Sequence, residues 1–550
     1  MKKYNTFFQY IFFALLVLFT WSCSNERKKS QKELDDSLKT EAFKKWDETI
    51  PGSFSEQTEL TFDSTEIAVF FAGYPELKIY EDSIKKFYSQ RNYAYAWFTT
   101  KGLIEQAGNL SDRIRNLGDE GIEEKVPYTQ VTDSLIYSEN LTENIKKPSI
   151  EIELLLTGQY FVFANEVWQG VDEKTSKSVQ WYLPRKKVSY GVLLDSLIEN
   201  PKSLENVDKE PVYRQYGLLR KFLTKYRLVE KEPEITNIVL DAGVKSFKPG
   251  DSSKNILRIK KRLSFLDDFT GDTLSLKYTD DLTEAVKNFQ ERHGLTADGV
   301  IGPGTIKEMN VPLSKRIRTL VVNMERARWL PAGLNRKYLG VNIPEYKLHV
   351  YDSDSLLWSC NVVVGKDLHK TVVFQGDMQY VVFSPYWNVP ESIVRNEILP
   401  AMNKNSSYIA QHNMEIIGKR NGLPIVRQLP GKNNSLGLVK FLFPNNYNIY
   451  LHDTPSKSLF AQEDRAFSHG CIRVSEPVKL AEFLLEDMPQ WTAEKINTAM
   501  HQNKETWVTL KDKMPVFISY FTAFVDRKGQ LNFRKDIYDR DEALEKMILK

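Results

Sequence analysis

Cysteine is scarce in this chain: three residues in 550, at positions 23, 360 and 471. That scarcity excludes a disulfide-stapled scaffold, so apolar cores must hold the chain together. An excess of one charge is also missing. Lys+Arg at 75 against Asp+Glu at 72 leaves +3, which argues against nucleic acid or an anionic membrane surface as a partner. Long apolar runs are missing too. The run at 10–21 is too short to cross a bilayer comfortably. The seven histidines are mostly scattered, and no Cys/His spacing suggests zinc. What remains is a globular composition, 41% hydrophobic and 12% aromatic, in a chain long enough for about two to four domains.

The N-terminus reads as a targeting segment. Met1-Lys2-Lys3 precedes the apolar run, and the small Ser22 stands before Cys23. Residues 1–22 resemble a lipoprotein-type signal peptide, which would make Cys23 the lipidated first residue of the mature protein. An uncleaved N-terminal anchor is the alternative. Either reading places the bulk of the protein outside the cytoplasm, on the periplasmic side of an envelope membrane. Residues 23–74 form a polar tether and lead-in, rich at 24–45 in Lys, Glu, Ser and Asp.

Residues 75–249 have a helical pattern with interleaved aromatics, and Leu154, Leu155, Leu156, Tyr160, Phe161, Phe163 and Trp168 read as helix core. Within 250–312, Ile256, Ile259 and Leu263 share one helix face. Leu282, Ala285, Val286 and Phe289 share another after Thr279-Asp280 at an N-cap. Gly294, Asp298-Gly299 and Gly302-Pro303-Gly304 then turn the chain into a third short helix at 305–309. Ile317, Leu320, Val321 and Met324 continue as a linker helix over 313–336, which Pro331 stops. From 337 the period becomes that of strands. Cys360 lies in one of them, Leu357-Trp358-Ser359-Cys360-Asn361-Val362-Val363-Val364, as a buried free thiol rather than a disulfide partner of Cys471. Helix-like and loop-like sequence at 392–437 interrupts the strands as a wall or lid. The catalytic domain is expected over 337–510, followed by a C-terminal segment at 511–550.

The chemistry concentrates at His452-Asp453-Thr454 and Ser468-His469-Gly470-Cys471-Ile472-Arg473. A thiolate is the nucleophile of cysteine chemistry, and a nearby imidazole or arginine favours its ionisation near neutral pH. Gly470 allows close backbone approach, so the Gly470 and Cys471 N–H groups are expected to face a developing oxyanion.

These residues carry a resemblance. A histidine, a spacer such as 453–467, then Ser-x-Gly-Cys-apolar-Arg resembles the signature of the L,D-transpeptidase (YkuD-type) catalytic domain. Tyr386-Trp387-Asn388-Val389-Pro390, Lys440-Phe441-Leu442-Phe443-Pro444-Asn445 and the tail pieces Phe521-Thr522-Ala523-Phe524-Val525-Asp526 and Asp536-Ile537-Tyr538 are similar to the large YcbB-like branch. Residues 250–312, with Phe289-Gln290 and Asp298-Gly299-Val300-Ile301-Gly302, resemble a peptidoglycan-binding-like domain, whose role is docking on glycan or spacing.

The resemblance implies an α+β multidomain protein. A β-sandwich-like catalytic domain with a capping insertion would join a mainly helical scaffold and a small three-helix domain. It implies Cys471 as nucleophile and His452 as general base and acid. Asp453, Thr454 or a backbone carbonyl would orient His452. Ser468, Gly470 and His469 would shape the loop or the oxyanion hole, with His469 the alternative base. Arg473 would hold a substrate carboxylate or favour the thiolate, or else pair with a structural acid. Tyr450, Trp387 and Asn388 are candidate cleft walls. The implied reaction joins peptidoglycan stem peptides by 3→3 cross-links through a thioester, releasing D-alanine, with no metal or organic cofactor. Alternatives are an L,D-carboxypeptidase or cross-link hydrolase on the same site, and a non-catalytic wall-binding lipoprotein.

Overall fold

Apolar residues alternate along the chain from Lys337 and set one face of a sheet inward. The computed structural model describes residues 60–137, 147–199, 210–231 and 237–549; the signal 1–22, Cys23 and residues 24–59 lie outside the described residues. Eight strands build the catalytic sheet: β1 (Lys337–Asn342), β2 (Lys347–Asp352), β3 (Ser355–Gly365), β4 (Val373–Phe383), β5 (Val439–Leu442), β6 (Leu451–His452), β7 (Ile472–Val474) and β8 (Thr506–Ser519). They pair in the order β5-β6-β7-β3-β2-β1-β8-β4, and β4 also pairs with β5, so the ring closes. The sandwich-like sheet is therefore a closed one, with no free edge in the ring.

Inside the ring Val341, Leu348, Val362, Val364, Val381, Phe383, Phe441, Leu451, Ile472 and Val474 are all buried in one core. Strand β8 runs through the expected boundary at 510 and pairs with both β4 and β1. The C-terminal segment thus begins inside the sheet, a correction to the 510/511 division. The run Lys511-Asp512-Lys513 hid this continuity, because there the register shifts between Thr509 and Met514 and three polar side chains are exposed.

The helix Leu313–Trp329, expected as a linker, is instead a central element. Every residue from Leu320 to Trp329 is buried. Arg328 donates to the carbonyls of Val167 and Glu120 and to Glu325, tying this helix into the scaffold. Asn323 and Thr522 exchange hydrogen bonds at 2.7 and 2.9 Å, tying it to the tail. In the scaffold, helix Ile150–Phe163 is apolar all round and buried from Ile152 onward. Its Glu153 is also buried and accepts hydrogen bonds from Tyr88 and from the backbone of Ala96 and Trp97, so the carboxyl is satisfied where it lies. Strand Trp181–Tyr182 pairs with the start of β4. Scaffold and catalytic sheet share one continuous core.

Residues 250–312 differ. Helices Lys254–Phe265, Asp280–Arg292 and Pro303–Met309 enclose a separate core around Ile256, Ile259, Leu263, Leu282, Val286 and Phe289. This module meets the tail through Arg292, which donates to Asp268 and to the Leu531 carbonyl, and through His293 stacked on Phe533.

The insertion is more ordered than its helix-like and loop-like sequence at 392–437 suggests. It begins at Trp387–Asn388, which pairs with Leu423–Gln428, which in turn pairs with Met414–Arg420. A small core of Val389, Ile393, Val394, Ile398 and Val426 holds this cap.

Candidate active site

Strand pairing brings the two motifs together. In the parallel pair β6·β7, Leu451 faces Ile472 and His452 faces Arg473. Leu451 and Ile472 point into the core, so His452 and Arg473, one residue on, point to the outer face. Tyr450 and Cys471, each two residues earlier than His452 and Arg473, face the same way. A strand spacing of about 4.8 Å and a rise of about 3.3 Å per residue put the Cα atoms of His452 and Cys471 roughly 8 Å apart. That diagonal is short enough for the two side chains to converge.

The hydrogen bonds fix the imidazole's tautomer. His452 Nδ1 lies 2.5 Å from the Asp453 carbonyl. A carbonyl only accepts, so in the neutral ring Nδ1 carries the proton and Nε2 is the unprotonated nitrogen; the Leu436 backbone also contacts the ring. The orienting group is therefore this backbone carbonyl. The Asp453 carboxylate instead accepts from the Leu438 N–H at 2.9 Å and pairs with Lys457, while the Thr454 hydroxyl accepts from the Ser456 N–H. Burial holds His452 far below its ordinary value, at about 3, and the nearby Arg473 guanidinium pushes the same way. The imidazole is neutral at pH 7.

Cys471 is partly exposed, and its Sγ lies 3.5 Å from the Asn448 carbonyl. Burial raises its thiol above the ordinary value, outweighing hydrogen bonds with Tyr450 and the charge of Arg473. The resting pair is thus neutral thiol and neutral imidazole, which corrects the expectation that these neighbours favour ionisation of the thiol near neutral pH. The cations are present, but the setting is too desolvated for them to win. Arg473 makes no ion pair among the described residues, and its Nε is buried without a partner. Among the described residues the structural-pair reading of Arg473 has no acid to rest on.

The loop before Cys471 is braced from three sides. The Ser468 hydroxyl donates to the Cys471 carbonyl at 2.5 Å and accepts from the Gly470 N–H at 3.1 Å. The Gly470 N–H is therefore engaged within the loop, a correction to its expected oxyanion role. The Cys471 N–H has no acceptor among the described residues and is the donor left for an oxyanion. Gly470 has φ +111°, a region closed to side chains, and a Cβ at Gly365 would meet the His369 carbonyl at 2.0 Å. Thr371 spans the two glycines: its hydroxyl donates to the Gly470 carbonyl and accepts from the Gly365 N–H, both at 2.9 Å. Tyr538, from the C-terminal tail, donates to the Gly365 carbonyl at 2.5 Å and accepts from the Thr371 N–H at 3.2 Å.

His469 faces away from this machinery. Its Nε2 is 3.2 Å from the Glu397 carboxylate, on a π-helical turn of the cap, Val394–Ile398, and its ring lies 4.9 Å from that of His369. It links cap to loop and is not placed as a base.

Family models match three stretches of the chain. The L,D-transpeptidase catalytic domain model matches residues 336–516. Residues 336–516 are an L,D-transpeptidase catalytic domain. A Scaffold domain model matches 82–223, and the "Putative peptidoglycan binding domain" model matches 252–309. The chain is 34% identical over 255 residues to a "Putative L,D-transpeptidase" of Haemophilus influenzae, a match covering 43% of this chain and about half, 51%, of that protein. Solved structures that match include an L,D-transpeptidase (Yku) from Stackebrandtia nassauensis, at 15% identity over 52% of this chain and 98% of that one, TM-score 0.22. Another is an L,D-transpeptidase from Mycobacterium smegmatis, at 13% over 34% and 59%, TM-score 0.19. At those scores neither carries an argument.

Within the transpeptidase domain the structure gathers Cys471, His452, Arg473, Tyr450, Ser468 and Gly470. Trp387 packs against the cap's own core and Asn388 is exposed beside it, so these two expected cleft walls belong to the cap. The residues that sequence reasoning missed are Thr371, Tyr538 and Glu397. Tyr538 alone had a signal, the tail piece Asp536-Ile537-Tyr538.

Proposed function

We propose that the chain is a cysteine L,D-transpeptidase that cross-links peptidoglycan stem peptides. The observation that carries the reading is one thiol and one unprotonated imidazole nitrogen on a shared outer face, beside a guanidinium with no ion pair among the described residues. His452 Nε2 takes the thiol proton as Cys471 Sγ attacks the carbonyl of the third stem residue. The Cys471 N–H and Tyr450 hydroxyl meet the negative charge that develops. The tetrahedral adduct collapses, D-alanine leaves with the proton from His452, and a thioester remains. The side-chain amine of a second stem gives a proton to His452 and attacks, which frees the thiol and forms the 3→3 link. The cap, held to the loop by Glu397 and His469, supports transfer over hydrolysis by limiting water. The same proposal includes export and a lipid anchor at Cys23, tested by radiolabelled-palmitate incorporation that Cys23→Ala abolishes.

The reaction is tested by the intact mass of the protein after incubation with a stem tetrapeptide or a carbapenem. An adduct absent from Cys471→Ala is expected; folded wild-type protein that gains no mass sinks the proposal. Product analysis separates cross-linked dimer from hydrolysed tripeptide.

A further inference from the structure

We propose that a cavity lined by scaffold, sheet and tail is a second binding site, shaped for one neutral sugar ring of a glycan strand. It lies apart from the thiol: its lining includes none of the residues gathered around Cys471. Only the source of the glycan, the cell wall, is taken from the transferase reading above. Strand register makes the cavity. Phe517 on β8 faces Gly340 on β1, and Gly340 faces His349 on β2. Their neighbours Val516, Ile518, Leu339, Val341, Leu348 and Val350 are buried in the core, so this row lies on the outer face. The middle position of the row has no side chain. A Cβ built at Gly340 meets only the Tyr351 ring within 4 Å, at an ordinary 3.5 Å, and Gly340 is not in the left-handed region. The backbone does not require glycine there. What glycine leaves is space, about 160 Å³ of it, room for about ten waters and so for one six-membered sugar ring.

The lining selects the ligand. Tyr338 and Tyr351, paired across β1·β2, stack at 4.8 Å, and Phe517 stands edge-on to Tyr338 at 5.7 Å. Tyr213, from the scaffold, closes on the same space. The hydroxyls of Tyr213, Tyr338 and Tyr351 have no hydrogen-bond partner among the described residues. Burial first, then the neighbouring phenols, push Tyr338 and Tyr351 above the ordinary phenol range, so both are neutral donors at pH 7. Three unpaired phenols in an apolar slot suit a ligand whose own hydroxyls pair with them. The aromatic rings suit the C–H groups of that same ligand. Charge argues against an ion. Arg214 and Arg527 are offset by Asp354 and Asp526, and the remaining acid, Glu345, is taken up by His349 at 2.9 Å. A hydrocarbon chain would leave the phenols unpaired. A sugar ring meets both demands.

The test is equilibrium binding of an N-acetylglucosamine tetramer to the full chain and to its Gly340→Val and Tyr351→Phe variants. Valine fills the gap and suits a strand better than glycine. The melting temperature of Gly340→Val is therefore expected to hold or rise, while affinity falls at least about tenfold. Tyr351→Phe removes one hydroxyl and is expected to weaken binding about fivefold. Unchanged affinity in either variant overturns the site, and so does folded wild-type protein that binds no tetramer. Gly340-dependent binding of octanol tighter than that of the tetramer also overturns it, as a hydrocarbon slot. If Gly340→Val melts early, Tyr351→Phe decides alone. Acylation of Cys471 is expected to be unchanged in Gly340→Val. If wild-type protein is acylated but its tetramer binding ignores Gly340→Val, the sugar site alone fails. If binding depends on Gly340 but no thioester forms, the transferase reading alone fails.

Discussion

Two helical regions attach to the same sheet and do so in opposite ways. Among the described residues the scaffold has no core of its own: its aromatics, the central helix and the inner face of the ring form one apolar mass, with Arg328 sewn across it. The module at 250–312 has its own core and meets the tail through a narrow seam of Arg292, Asp268, His293 and Phe533. Both are helical; what differs is where the apolar faces point. A scaffold of the first kind is part of the catalytic domain's stability. A module of the second kind keeps an apolar core of its own beside the common one.

Substitutions that strike one region at a time test this difference. Trp329 is fully buried where scaffold and sheet meet, edge-on to Trp181 at 5.1 Å. Trp329→Ala is expected to cost about 3–5 kcal/mol and to lower a single denaturant transition that carries Cys471 acylation with it. Separate transitions for scaffold and sheet would show the shared core to be illusory. Phe289→Ala, in the small module's core, is expected to cost about the same but to appear as its own early transition, with acylation persisting above it.

Acid separates the regions by a smaller effect, because each holds one buried neutral histidine. Burial lowers both His452 in the sheet and His293 at the module seam, His452 to about 3. The unfolded chain binds a proton at each near its ordinary value of 6.5, while folded His452 resists until about pH 3. Stability therefore falls as pH drops through that window. His293→Phe is expected to remove the acid sensitivity of the module's transition and leave that of the main one; a main transition flattened equally would show the seam to be part of the common core. Smallest is the cap. Glu397 and His469 are both well exposed, so Glu397→Gln is expected to change thioester hydrolysis by less than about fivefold, upward, read as the lifetime of the acylated mass.

The sequence legibly carried what is periodic or chemically rare. His452 and Cys471 stood out because so few histidines and thiols compete with them, and the helices at 254–265 and 280–292 because one face of each is apolar. The cap strands were hidden for a physical reason. Met414–Arg420 packs on a small core, leaves Ile416 and Ile417 exposed, and its partner carries a register shift at Ile425/Val426, so no clean alternation survives. Closure of the ring depends on β4 meeting both β5 and β8, a long-range pairing that no local pattern encodes. The protonated thiol was hidden likewise, since flanking cations are visible in a motif and desolvation is not.

Tyr538 comes well after Cys471 in the chain, yet its hydroxyl grips the carbonyl and amide that set the shape of the turn before Cys471. Chain growth runs toward that tyrosine, so the sulfur is made long before the clasp that shapes its surroundings. A nascent chain that has passed Cys471 but not yet Tyr538 therefore lacks the brace on its turn.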